Sequence, residues 1–160
     1  MTIKVGDKIP ETKFTVRQGG DPKQLTTDEI FKGKKVVLFA VPGAFTPTCS
    51  MKHLPGFIQH YDELKKKGAD TVACLAVNDQ FVMGAWAKDQ SAGDKIMMIA
   101  DGNADFTKSV GLTLDGSGFG LGTRSQRYAM VVDNGVVKTL NVEAGPGLDV
   151  SSAETILKAL

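Results

Sequence analysis

The segment PGAFTPTC, residues 42–49, holds the residues of this chain that are best suited to chemistry. Its cysteine, Cys49, supplies a sulfur atom that is a nucleophile in the thiolate form. Thr46 lies three residues earlier and carries a hydroxyl that can donate a hydrogen bond to a sulfur anion. Pro42 and Pro47 have no N–H group and restrict the loop, so we expect a narrow pocket around the sulfur. The segment therefore indicates chemistry that begins from a single thiolate.

The segment lies between a predicted strand and a predicted helix. The strand is the continuous apolar run KVVLFAV at residues 35–41, which is typical of a strand buried on both faces. The helix is predicted from about residue 47 to residue 67, with Thr46 as its capping residue and Pro47 in its first turn. Cys49 then lies at the helix N-terminus, where free N–H groups and the helix dipole favour an anion.

The rest of the chain alternates predicted strands and helices. The predicted elements are strands at residues 71–77 and 96–101, a helix at about 80–90, a glycine-rich loop at 112–125, a hairpin at 127–142 with an Asn134-Gly135 turn, and a helix at about 151–160. Pro55 should kink the helix that follows the motif. This order predicts a single α/β domain over residues 1–160, with a thioredoxin-like fold in which helices flank a mixed central β-sheet.

Composition limits the classes of function. The chain has 160 residues, of which 42% are hydrophobic and 23% charged, and no apolar run is long enough to span a membrane. Nineteen basic and eighteen acidic residues leave a net charge of +1, so neither nucleic acid nor a membrane is an expected partner. The N-terminus does not resemble a secretory signal, and we expect a cytoplasmic protein. The two cysteines form no CxxC pair, so neither a zinc site nor a dithiol motif is expected.

The motif and its flanks resemble one family of thiol enzymes. PxxxTxxC at residues 42–49 matches the active-site motif of the peroxiredoxins, and VPGAFTPTCSMKHLPGF at 41–57 resembles the type II, peroxiredoxin-5-like subfamily. Segments that resemble the same subfamily are KVGD at 4–7, FKGKK at 31–35, VACLAVND at 72–79 and VVKTLNVE at 136–143. The resemblance covers nearly the whole chain and implies an antioxidant thiol-dependent peroxidase that reduces hydrogen peroxide and organic hydroperoxides.

The resemblance also implies roles for individual residues. Cys49 would be the peroxidatic cysteine, oxidised to a sulfenic acid, and Thr46 and Pro42 would line the peroxide site. The active-site arginine of the family matches Arg127, with Arg124 as its rival three residues earlier. In a strand, an odd offset points two side chains to opposite faces, so both should not reach one pocket if the strand already includes Arg124, and we favour Arg127. No bound cofactor and no metal ion are expected.

The chain lacks the second cysteine that some type II members carry near the C-terminus. The matching stretch, GLDVSS at residues 147–152, contains none, and Cys74 lies in a predicted core strand, where cysteine usually acts as a small hydrophobe. We therefore expect an external thiol to reduce oxidised Cys49: glutathione with glutaredoxin, or alternatively thioredoxin. A non-enzymatic thiol redox sensor and a glutaredoxin-type thiol transferase are the rival functions.

Two features leave alternatives open. His53 follows Cys49 by four residues and could form a Cys-His nucleophile pair, although a structural or solvent-facing histidine is favoured. Phe45, Phe119 and Leu121 fit either burial within the monomer or the homodimer interface that the family resemblance implies.

Overall fold

The core of the computed structural model, which describes residues 2–160, is a seven-stranded mixed β-sheet. Its strands are β1 (Lys13–Arg17), β2 (Lys23–Thr26), β3 (Lys35–Ala40), β4 (Thr71–Ala76), β5 (Ile96–Ala100), β8 (Tyr128–Asp133) and β9 (Val136–Val142), in the order β2-β1-β5-β4-β3-β8-β9. Strands β3, β4 and β5 are parallel, and the other pairs are antiparallel. The predicted mixed central sheet is confirmed.

Helices cover both faces of the sheet. They are α1 (Thr27–Phe31), α2 (Leu54–Gln59), α3 (Tyr61–Lys66), α4 (Gln80–Asp89), α5 (Asp105–Ser109) and α6 (Ala153–Ala159). Val37 and Phe39 of β3 pack on the face covered by α2, α3, α4 and α6, together with Cys49 and Cys74. Val36 and Leu38 pack on the opposite face with α1 and α5. Burial of β3 on both faces, which its apolar run predicted, is confirmed.

The single helix predicted for residues 47–67 is instead a series of short pieces. A helical turn begins at Pro47, continues as a π-helical turn over Cys49–His53, and is followed by α2 and α3, which are separated at His60. Pro55 accounts for the π turn, because it has no N–H to donate and its ring clashes with the carbonyl four residues earlier. The N–H of Leu54 accordingly donates to the carbonyl of Cys49, five residues back.

The glycine-rich stretch 112–125 contains more regular structure than the sequence predicted. Two short strands, β6 (Thr113–Asp115) and β7 (Thr123–Ser125), pair antiparallel around a 3-10 turn at Ser117–Phe119. The hairpin β8–β9 agrees with its prediction, since Asn134 and Gly135 have φ angles of 50° and 81° at its turn. No helix formed by residues 2–160 is both long and apolar enough to cross a bilayer.

Candidate active site

The loop after β3 is tied to the neighbouring strand. The N–H of Val41 donates to the carbonyl of Leu75 at 3.0 Å, and the N–H of Ala44 donates to the side-chain oxygen of Asn78 at 2.9 Å. A Cβ at Gly43 would lie 2.7 Å from Nη1 of Arg124, so a side chain there would displace the end of that arginine. These contacts fix the loop that leads into the turn carrying Cys49.

Arg127 reaches the sulfur of Cys49. Its Nη2 donates to Cys49 Sγ at 3.2 Å, and both side chains are buried. The register of the sheet explains the contact, because Ala40 at the end of β3 pairs with Tyr128 at the start of β8. Arg127 immediately precedes β8, so its side chain lies beside the loop that follows β3. A buried cation at hydrogen-bond distance from a sulfur attracts negative charge to that atom.

Arg124 lies near the loop but makes different contacts. Its Nε donates to the carbonyl of Leu121 at 3.0 Å, and its Nη1 lies 3.4 Å from the carbonyl of Pro42. Both contacts are to main-chain oxygens rather than to Cys49. Of the two candidate arginines, the structure therefore brings Arg127 to the sulfur and leaves Arg124 supporting the loop.

Thr46 differs in detail from its prediction. Its hydroxyl donates to the carbonyl of Gly43 at 2.6 Å, so it neither caps the helix with its side chain nor donates to Cys49. The main chain of Thr46 begins the helix instead, since its carbonyl accepts from the N–H of Ser50 at 3.0 Å. With its proton directed to Gly43, the hydroxyl oxygen retains lone pairs that can accept a hydrogen bond from a bound molecule.

His53 is a buried partner of Arg127, a role that the sequence did not predict. Nη1 of Arg127 donates to Nδ1 of His53 at 2.9 Å, and Nε2 of His53 contacts the carbonyl of Ser151, also at 2.9 Å. An arginine can only donate, so Nδ1 accepts and the ring proton is on Nε2. Burial, and then the charge of Arg127, lower the pKa of His53 to about 3, so the ring is neutral.

These contacts decide between the interpretations of His53. Both ring nitrogens are engaged, by Arg127 and by the carbonyl of Ser151, so the geometry does not favour a Cys-His nucleophile pair. A solvent-facing histidine is wrong, because the ring is buried against Phe39 and Phe57. The sequence feature that could have pointed to a role for His53 in the site was its position four residues after Cys49.

A groove of about 650 Å³ opens beside the motif loop. Its wall is mostly apolar, and the lining includes Pro42, Thr46, Pro47, Leu114, Phe119, Leu121, Arg127, Glu143 and Pro146. Cys49 is itself fully buried, and Arg127, which bonds its sulfur, lines the groove. Among residues 2–160, no group of three or more His, Cys, Asp or Glu side chains is arranged to hold a metal ion.

Comparison with known proteins identifies the family. The model of the family described as Redoxin matches residues 4–157. The chain belongs to the redoxin family. Peroxiredoxin-2E, chloroplastic, of Arabidopsis thaliana is 51% identical over 99% of this chain and 70% of its own length. Peroxiredoxin-2C of the same plant is 49% identical over 99% of this chain and 98% of its own length.

A solved structure extends the likeness to the fold. Reduced Prx3 of Vibrio vulnificus, in complex with H2O2, superposes with a TM-score of 0.92 at 55% identity, covering 99% of this chain and 96% of that one. The resemblance to type II peroxiredoxins and the thioredoxin-like fold predicted from the sequence are thereby confirmed. Peroxiredoxins need no bound cofactor and use external reductants, which agrees with the expected chemistry of this redoxin.

The two arginines are distinguished by replacing each with glutamine. Arg127→Gln removes the donor to the sulfur, so we expect the oxidation of Cys49 by peroxide to slow about 100-fold. Arg124→Gln removes only contacts to main-chain oxygens and should slow it less than about tenfold. Stopped-flow fluorescence of Trp86, whose Nε1 contacts Ser50 Oγ at 2.9 Å next to Cys49, measures the rate. A larger loss in Arg124→Gln would reassign the active-site cation.

The low pKa of His53 predicts a dependence of stability on pH. Below the ordinary histidine pKa of 6.5 the unfolded chain binds a proton at His53, whereas the folded protein does so only near pH 3. The free energy of unfolding should therefore fall as pH falls from 6.5 towards 3, by up to about 1.4 kcal/mol per pH unit. His53→Gln should lack this contribution, and His60→Gln, which changes the other histidine, should retain it. Denaturant unfolding at a series of pH values gives the free energy of unfolding at each pH. If this free energy depends on pH equally in His53→Gln and in wild type, the prediction is contradicted.

Proposed function

We propose that this redoxin is a thiol-dependent peroxidase that reduces hydrogen peroxide and organic hydroperoxides with Cys49. The observation that carries the proposal is the 3.2 Å hydrogen bond from Arg127 Nη2 to Cys49 Sγ. The sulfur attacks the terminal oxygen of the peroxide, an S–O bond forms as the O–O bond breaks, and the leaving oxygen takes a proton to become water or an alcohol. Cys49 becomes a sulfenic acid. The bound H2O2 in the Vibrio vulnificus relative supports this substrate class.

Each residue around the sulfur has a distinct part in this reaction. Arg127 attracts negative charge to the sulfur and, as the O–O bond breaks, to the leaving oxygen. Thr46 accepts a hydrogen bond from the peroxide O–H, which orients the oxygen that is attacked. Pro42 forms the wall of the groove beside Thr46, and offers no N–H that would compete for the peroxide.

An external thiol completes the cycle. Cys74 is fully buried in β4, and burial raises the pKa of its thiol well above the ordinary value, which keeps it protonated and unreactive. The stretch Gly147–Ser152 contains no cysteine. Glutathione therefore attacks the sulfenic sulfur, releases water and leaves a mixed disulfide, which glutaredoxin reduces; thioredoxin is the alternative reductant. The cytoplasmic location stays a prediction from the sequence.

Access by glutathione requires movement of the turn that carries Cys49. The cysteine is fully buried, so glutathione cannot reach its sulfur while the turn is closed. The turn is held to α4 by the hydrogen bond from Trp86 Nε1 to Ser50 Oγ, at 2.9 Å. Opening the π-helical turn would release this bond and expose the sulfur to the reductant.

Exposed aromatic side chains support a homodimer. Phe119 is 89% exposed and Phe45 is 52% exposed, which argues against the alternative in which both are buried within the monomer. Phe45 belongs to the motif loop, and Phe119 lines the groove next to it. Such apolar side chains on neighbouring loops are typical of a protein interface. We propose that two copies of the chain pack through these loops.

The cysteine variants test the peroxidase cycle. Cys49→Ser should abolish peroxide turnover, and Cys74→Ala should keep most of it, with glutathione and glutaredoxin or with thioredoxin as the reductant. Peroxide consumption is measured with each reductant supplied separately, so the same series identifies which one sustains turnover. Oxidation of Cys49 without turnover under either reductant would favour the redox-sensor function. Loss of turnover in folded Cys74→Ala would contradict the one-cysteine cycle.

The dimer is tested by placing a charge on the proposed interface. Phe119→Asp should shift the protein from dimer to monomer, because a carboxylate would be buried against the partner. Val5→Asp is a matched control, since Val5 is also exposed, at 58%, but lies outside these loops. Sedimentation velocity against the chain mass of 17.0 kDa gives the oligomeric state. A monomeric wild type, or a dimer unaffected by Phe119→Asp, would reject this interface.

A further inference from the structure

A closed ring of hydrogen bonds links Arg127 to the segment that leads into α6. The guanidinium of Arg127 donates to His53, and His53 donates to the carbonyl of Ser151. The N–H and hydroxyl of Ser151 donate to Glu143 Oε2 at 2.8 and 2.6 Å. The N–H of Glu143 then donates to the main-chain carbonyl of Arg127 at 3.0 Å, which closes the ring.

We propose that Glu143 is a positioning residue for Arg127 and acts through Ser151 and His53. The proposal rests on the peroxidase function proposed above, because it concerns the arginine that contacts the reacting sulfur. Glu143 does not contact Cys49 or the guanidinium. It fixes the carbonyl that orients the imidazole, and the imidazole in turn orients the guanidinium.

The first step of the argument is how few contacts hold the guanidinium. Arg127 is 6% exposed, and within residues 2–160 its buried Nε has no hydrogen-bond partner. Its orientation therefore depends on Nη1, which donates to His53, and on Nη2, which donates to Cys49. Since Cys49 is the reacting group, His53 is the contact that can hold the guanidinium throughout the reaction.

The second step is the proton on the imidazole. His53 can accept from Arg127 at Nδ1 only while the ring is neutral and carries its proton on Nε2. The carbonyl of Ser151 selects this state, because it accepts from Nε2–H at 2.9 Å. A displaced Ser151 carbonyl would let the ring rotate or change tautomer, and Nη1 of Arg127 would lose its acceptor.

The third step is what holds Ser151 in place. The segment 144–151 has neither helix nor strand, so local contacts decide its position. Oε2 of Glu143 accepts three of them, from the N–H of Asp149 at 2.8 Å and from the N–H and hydroxyl of Ser151. Partial burial opposes the charge of Glu143, but these donors outweigh burial and lower its pKa, so it is ionised at neutral pH. Asn141 adds one contact, to the carbonyl of Val150 at 3.0 Å.

The test compares variants of Glu143 in a single turnover without reductant. Glu143→Ala removes all three contacts, and we expect oxidation of Cys49 by H2O2 to slow about tenfold as the guanidinium loses its orientation. Glu143→Gln should restore the rate to within about threefold of wild type. The structure supports this rescue, because an amide oxygen can replace Oε2, and Oε1 has no hydrogen-bond donor among residues 2–160. Ser151→Ala, which removes one contact of three, should slow the reaction less and in the same direction.

Ser152→Ala is the matched control for a loss of stability alone. Ser152 caps α6 by accepting from the N–H of Thr155 at 3.2 Å and does not contact Glu143 or His53. This variant should lower the melting temperature without changing the rate of oxidation.

The imidazole itself provides a readout that a purely structural role would not change. The 15N NMR spectrum should show the His53 ring protonated at Nε2 in wild type and in Glu143→Gln. In Glu143→Ala it should show a mixture of tautomers, with His60 as an internal reference.

The outcomes separate this proposal from the function on which it rests. Oxidation of Glu143→Ala at the wild-type rate would overturn the positioning role alone, as would a slower rate with unchanged His53 signals. Wild-type protein that does not react with H2O2 would overturn the peroxidase function and the positioning role together.

Discussion

The arrangement around the active site depends on the buried guanidinium of Arg127. A cation removed from water is costly unless its neighbours compensate it, and here two neighbours do so in different ways. Cys49 places a sulfur acceptor 3.2 Å from Nη2, and His53 offers a neutral acceptor to Nη1 at 2.9 Å. The same guanidinium thus donates to a sulfur on one side and, after burial, helps to keep the imidazole neutral on the other.

Two features of the fold bring these three side chains together: the register of β3 against β8 and the π-helical turn that carries Cys49. Antiparallel pairing of β3 with β8 sets Arg127 beside the loop after β3. The π-helical turn Cys49–His53 then presents its first and last residues to the same guanidinium. Pro55 has no N–H for an ordinary α-helical bond and so causes the π-helical turn. It does this without being one of the residues that contact the guanidinium.

The sequence predicted the parts of the site that depend on local patterns. The apolar run of β3 and the Asn134-Gly135 hairpin follow from periodicity and turn preference, and both are confirmed. The acceptor for Nε2 of His53 could not be predicted, because it is a main-chain carbonyl at Ser151, 98 positions away, and every residue type has such a carbonyl. The hydroxyl of Thr46 failed as a predicted cap for a related reason. The hydroxyl donates to the main-chain carbonyl of Gly43 at 2.6 Å, and residue types do not reveal which carbonyl the loop brings to it.

The network that assists oxidation also opposes the next step of the proposed cycle. While the sulfur is an anion, its attraction to Arg127 holds the turn closed over a fully buried cysteine. Formation of a sulfenic acid places a hydroxyl group on that sulfur and removes the anionic partner of the guanidinium. The closed turn then loses part of its stabilisation at the moment when an external thiol must enter. Oxidation consumes the sulfur anion. The buried charge of Arg127 therefore favours the closed turn before oxidation, and the turn opens more easily afterwards.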